Sequence, residues 1–200
     1  ALPEDFGGIG MGAKATTVIM GELGKGLVLE PYLATVILGG EMIARHGSAA
    51  QKDAILPSVA AGEMMLTLAH AEPGARYDLN DVATTARKSG DGFIINGAKG
   101  MVLNAATAHK IIIPARTAGN RTDRSGISLF LLNGKASGLS RRDYKNYDGW
   151  RASELEMVDV AVSEADLIGD LDHGHDALEE IMDRAIAALC AEAVGAMNML

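Results

Sequence analysis

The feature that most constrains this fold is a change of hydrophobic period near residue 65 and a change back near residue 169. Between those points the chain carries short apolar runs of strand length, at about 82–88, 93–95, 101–103, 110–116, 127–132 and 154–162, each bounded by turn residues. Ser89-Gly90-Asp91-Gly92 reads as a turn. Asn96-Gly97 reads as a hairpin connection, because both residues tolerate positive φ. So many short, evenly spaced strands argue against alternating βαβ units and predict a small antiparallel β-barrel, or failing that a sandwich.

On both sides the pattern is helical. Val18, Ile19, Leu23 and Leu27 give helical spacing over residues 16–29. A second helix opens at Pro31, carries Leu33, Val36 and Ile37, and stops at Gly47 after His46. Ser48 caps a short third helix, 49–56, that Pro57 ends. After Asp176, a plausible cap, Leu178, Ile181, Met182, Ala185, Leu189 and Val194 form one apolar stripe. No stop signal follows, and the sequence supplies few partners for that stripe. The expectation is a protein that continues past Leu200; the alternative is a helix packed on the barrel or on another subunit.

Bulk properties narrow the function classes. With 200 residues, 48% hydrophobic and 22% charged, the chain has the composition of a soluble globular protein. No run approaches the roughly 20 apolar residues that a membrane span needs. The first residues have neither the basic start nor the apolar core of a secretory signal, and the absent initiator Met reads as processing or trimming. A net charge of −8 speaks against a nucleic-acid binder. The lone Cys190 fits a reducing compartment, with the cytoplasm as default.

Most local motifs have a plain structural reading. Gly8-Ile9-Gly10-Met11-Gly12-Ala13 matches a dinucleotide fingerprint in letters, but Pro3, Glu4 and Asp5 stand where that motif needs a buried strand. His46, His70, His109, His173 and His175 show no metal-ligand spacing, so no metal is expected. His173 and His175 read as solvated, and Cys190 reads as a small core residue. The segment from Leu66 to Asp78 stands apart: small residues, a Glu72-Pro73-Gly74 turn and several donors make a loop whose amides can meet a flavin edge or a pyrophosphate.

Several blocks, in order, resemble the acyl-CoA dehydrogenase family. Leu2-Pro3-Glu4 with Gly7-Gly8-Ile9-Gly10 resembles its LPE-x-x-GG-x-G segment. Gly47 to Lys52, Leu56-Pro57 and Gly62-Glu63 resemble its G-x-x-x-QK…LP…GE block. Ala69 to Asp78 resembles A-x-TEP-x-AGSD, Asn96 to Ala105 resembles NG-x-K-x-WITNA, and Gly149 to Ser153 with 158–169 resembles the close of the β-domain. On this resemblance the chain is an α+β, multi-domain piece. Residues 1–65 end an N-terminal helical domain, 66–169 form a middle β-domain, and 170–200 start a C-terminal helical bundle.

The resemblance implies FAD as cofactor, an acyl-CoA thioester as substrate, and α,β-dehydrogenation as the reaction. The glutamate base would lie beyond residue 200, so no catalytic residue is expected here and these 200 residues alone are expected to be inactive. It also implies a homo- or hetro-oligomer with a homologous dehydrogenase subunit, of the pimeloyl-CoA small-subunit type, and an electron-accepting flavoprotein. Leu68, His70, Ala71, Arg76, Tyr77, Met101 and Leu103 are the positions it places against FAD. Several depart from the family pattern: Ala71 and Leu103 replace threonines, Met101 replaces tryptophan, and Arg76 and Tyr77 stand where Gly and Ser are usual. Ile186 holds a usual arginine position, with Arg184 two residues away. His70, Arg76 and Tyr77 offer compensating donors. The rival readings are a flavin-poor partner subunit of a heteromeric dehydrogenase and an oxidase or monooxygenase on the same fold.

Overall fold

The computed structural model describes residues 2–200. Helix α1 spans Gly12–Lys25. A π-helical stretch, Leu33–Gly40, runs directly into α2, Glu41–His46. Its glycines permit close packing: a Cβ on Gly39 would lie 2.4 Å from the Cβ of Leu66. Helix α3, Ala49–Ala60, begins with a capping box in which Ser48 Oγ accepts from the Gln51 amide and Gln51 Oε1 accepts from the Ser48 amide. It passes through Pro57 instead of stopping there. A proline near a helix C-terminus removes a single backbone bond, and burial of Ile55, Leu56 and Val59 offsets that loss.

Eight strands follow: β1 Leu66–Leu68, β2 Thr85–Ser89, β3 Gly92–Leu103, β4 Lys110–Arg116, β5 Ile127–Asn133, β6 Leu139–Lys145, β7 Arg151–Ser163 and β8 Leu167–Ile168. They make one open mixed sheet in the order β6-β7-β3-β2-β4-β5-β8, with β1 parallel to β4 and a single parallel pairing between β2 and β4. The expected closed antiparallel barrel is therefore corrected. Both rims are protected in the way sheet edges usually are: β8 has two residues, and β6 carries Arg141, Arg142, Asp143 and Lys145.

Asn96-Gly97 does not turn the chain. Both residues lie inside β3, at a register shift against β7 between Ile95 and Gly97. Asn96 exchanges hydrogen bonds with Asp159, Nδ2 donating at 3.0 Å and Oδ1 accepting at 2.9 Å. A Cβ on Gly97 would lie 2.7 Å from the Thr84 Cα, so glycine is required by the backbone passing just ahead of β2. The true hairpin is at Gly90-Asp91, between β2 and β3.

Both faces of the sheet centre are covered, which explains the unbroken apolar runs of β4 and β5. Ile111, Ile113, Phe130 and Leu132 join Phe93, Ile95, Leu155 and Val160 in one core. Ile112, Leu129 and Leu131 face the helices, packing with Ile37, Met42, Leu56, Leu178 and Ile181.

Helix α4, Gly174–Met197, starts two residues before Asp176, and its N-cap residue His173 makes no side-chain capping bond. It lies along α1, so the stripe finds a partner within the chain: Leu178, Ile181, Ala185 and Ala188 are buried. Leu189 and Val194 remain exposed, as does Cys190, contrary to its expected core position. His175 is buried rather than solvated. Arg184 pairs with the buried Glu41, which also lies 3.7 Å from Arg45, so this arginine fastens α4 to α2. Among the described residues, no helix is long and apolar enough to cross a membrane.

Candidate functional site

The loop after β1 is held by a buried ion pair. Lys99, on β3, donates to Glu72 Oε1 at 2.6 Å and to the Pro114 carbonyl at 2.7 Å, with side chains 0% and 2% exposed. Glu72 also accepts the Ala83 amide at 2.7 Å and the Thr84 amide at 3.1 Å. Burial alone would raise the Glu72 carboxyl, but the Lys99 charge and these bonds outweigh it and hold it below the usual range. Burial pushes the Lys99 ammonium down to about 8, against the opposing pull of Glu72. The Gly100 amide donates to the Ala71 carbonyl at 2.9 Å, tying the loop to β3 a second time.

This anchoring shapes two clefts. The first, about 780 Å³, is lined by Ala71, Gly74, Arg76, Lys99, Gly100 and Met101, with Arg141 and Arg142 of β6 on its far wall. Both far-wall arginines are engaged, Arg141 with Asp143 at 2.7 Å and Arg142 with Glu154 at 2.6 Å. Arg76 has no ion-pair partner among the described residues. The second cleft, about 420 Å³, opens between α1 and α4 and is largely apolar: Leu27, Leu33, Leu103, Trp150 and Leu189 line it with Glu192. Burial raises the Glu192 carboxyl.

The structure sorts the expected positions. Ala71, Arg76 and Met101 share the first cleft, Met101 being 61% exposed, while Leu103 faces the second. The two residues would share a face in a regular strand, but the register shift between Lys99 and Val102 and the positive φ of Met101, 51°, separate them. Leu68 is buried in the helix-facing core. Tyr77, 98% exposed, points away from both clefts into solvent. The Lys99–Glu72 anchor and Glu192 were not anticipated. Only the letters E and K of the family blocks hinted at the pair, and nothing local marked Glu192.

His70 is half-buried, with Nδ1 lacking a hydrogen-bond partner among the described residues. Burial, aided by the Lys99 charge, pushes its imidazole down from 6.5 to about 4. The unfolded chain therefore takes up a proton that the folded chain refuses. Stability present above pH 6.5 is lost as pH falls toward about 4, by at most about 3 kcal/mol. His70→Leu is expected to flatten this slope in urea titrations at neutral and mildly acidic pH. Equal acid losses in both proteins would exclude His70 as the cause.

The chain matches the family model for the acyl-CoA dehydrogenase N-terminal domain over residues 1–63 and that for the middle domain over residues 67–160. It is 30% identical to (2S)-methylsuccinyl-CoA dehydrogenase of Cereibacter sphaeroides, across 100% of this chain and 39% of that protein. The structure described as the FAD complex of PigA superposes with a TM-score of 0.91 at 26% identity, over 99% of this chain and 53% of that one. One chain of the ChsE4-ChsE5 complex from Mycobacterium tuberculosis superposes at 0.82 with 27% identity, over 91% of this chain and 47% of that one. The chain belongs to the acyl-CoA dehydrogenase family. It spans about two fifths to half the length of the relatives it matches.

Proposed function

We propose that this chain forms the cofactor-holding part of an enzyme that uses FAD to introduce an α,β double bond into an acyl-CoA thioester. The observation that carries the reading is the pair of clefts meeting at β3, one with an unpaired arginine and one apolar, at the positions of the family's cofactor blocks. A cofactor with a flat ring and an anionic tail suits that chemistry. Met101 gives a polarizable surface and Arg76 a free cation. FAD, when bound, supplies the electron acceptor. The residues of this chain orient it and exclude water: Glu72 and Lys99 fix the loop, and Leu27, Leu33, Leu103 and Trp150 keep the second cleft apolar for an acyl chain. The base would come from sequence beyond residue 200, and an electron-accepting flavoprotein would reoxidise the cofactor.

A second reading, a flavin-poor subunit that needs a homologous partner, is favoured by Ala71, which lines the first cleft and gives up a hydroxyl contact worth about 0.5–1.5 kcal/mol. The visible spectrum of the full-length protein separates the two. A flavin band that bleaches with acyl-CoA is expected for the enzyme, whereas a colourless protein that becomes yellow only with a homologous subunit would favour the partner role. Within the first reading, Arg76→Ala is expected to weaken FAD retention about ten-fold. Unchanged retention would remove Arg76 from the cofactor's surroundings.

A further inference from the structure

A third cleft, of about 680 Å³, lies at the other side of Arg141, where the loop after β3 meets the turn after β5. Its polar lining is Lys110, Lys135, Arg141, His109, Asn133 and Thr107, with no carboxylate. The two clefts described above both include acids, Glu72 and Glu154 in the first and Glu192 in the second. On a chain of net charge −8, a hollow whose polar lining holds the unpaired Lys110 and Lys135, the Asp143-paired Arg141 and neutral groups is a local reversal of the prevailing field.

The frame of this cleft is built, not incidental. The Gly134 amide donates to the His109 carbonyl at 3.0 Å, and a Cβ on Gly134 would lie 2.3 Å from the Ala108 carbonyl oxygen, so loop and turn are in close backbone contact. The Lys135 amide donates to Asn133 Oδ1 at 2.9 Å, which fixes the turn that presents the Lys135 side chain. Arg141 Nη1 donates to the Ala105 carbonyl at 3.1 Å. His109 Nδ1 accepts the Met65 amide at 3.0 Å, which leaves Nε2 as the protonated nitrogen of the neutral ring and hence a donor. Lys110 and Lys135 have no ion-pair partner among the described residues.

We propose that this cleft binds a di- or triphosphate group. Several donors converge on one hollow, two of them unpaired ammonium groups, and the volume is within the range of small-molecule sites. The inference does not depend on the cofactor reading, because the cations concerned are Lys110 and Lys135 and not Arg76.

The test is calorimetric titration of the full chain with inorganic pyrophosphate and, separately, with ADP. Saturable one-to-one binding of pyrophosphate is expected. Lys135→Gln, an exposed turn substitution that leaves the core untouched, should weaken it about ten-fold, and Lys110→Gln should do the same. Lys52→Gln on α3 should leave it unchanged. Tighter binding of ADP than of pyrophosphate would identify the ligand as a nucleotide, and equal affinities an inorganic or polymeric phosphate. The proposal is overturned if no saturable binding occurs, or if binding survives both lysine substitutions but is lost in Arg76→Ala.

Discussion

Lys99→Met is expected to destabilise the protein by about 3–5 kcal/mol, read as a lower urea midpoint with an unchanged slope. The size follows from what remains, not from the pair's net contribution. Glu72 stays buried with its charge, its two backbone donors cannot replace an ammonium, and the carboxyl must either protonate or draw in water. Lys99→Met with Glu72→Gln is expected to recover more than half of that loss, because the uncompensated charge disappears and the Gln carbonyl still accepts the Ala83 or Thr84 amide. The same pair contributes to the loss of stability in acid. A carboxylate held below its ordinary range contributes stability above its unfolded value, and that contribution is lost as pH falls through the folded value. A single-variant loss under about 1 kcal/mol would mean that water reaches Glu72 and that the loop is held by other contacts.

Gly195→Ala is the second large effect, opposite in sign to what helix propensity alone predicts. Replacing a helical glycine with alanine normally gains up to about 1 kcal/mol, even in a last turn such as that of α4. Here the new Cβ would lie 1.9 Å from the Gly21 carbonyl oxygen on α1, a backbone atom that cannot rotate aside. The helices must separate, and overpacking of this kind costs about 1–3 kcal/mol, enough to outweigh the gain. Gly24→Ala meets the Glu192 carbonyl oxygen at 2.0 Å and should behave alike. The double variant should cost less than the sum, since the first substitution already opens the crossing. Gly21→Ala is the control. Its Cβ meets nothing nearer than the Ala191 carbonyl oxygen at 3.8 Å, so it should be neutral or stabilising. Thermal melts of the four variants decide the matter: equal behaviour of Gly21 and Gly195 would show that α1 and α4 are not in backbone contact in solution.

Features encoded within a few residues were legible in the sequence. The Ser48 cap and the Gly90 turn are local chemistry, and the structure contains both; the reciprocal bond from Gln51 came only with the structure. The switch from helix to strand near residue 65 was equally plain, because period is a local property. Features set by distant partners were not legible. Asn96-Gly97 has hairpin letters, yet Asp159 and Thr84 determine that it is a bulge. Strand β6 has almost no apolar residue and so no signal; its pairing with β7 creates it. Openness of the sheet depends on which strand ends pair, and short strands with turns are compatible with either outcome. In the candidate site, the order of the family blocks placed Ala71, Arg76 and Met101 together, while the bulge sent Leu103 to the opposite cleft and Tyr77 went to solvent. Lys99 would be assigned to the surface by residue type alone, and only a carboxylate 27 residues away makes its burial tolerable.

The glycine-mediated crossing of α1 and α4 has a consequence for how this architecture can vary. Where two helices touch main chain to main chain, their spacing is independent of the bulk of the groups projecting beside the contact. Leu27, Leu189 and Ala193 can therefore be exchanged for larger or smaller neighbours and reshape the hollow between the helices while its scaffolding stays put.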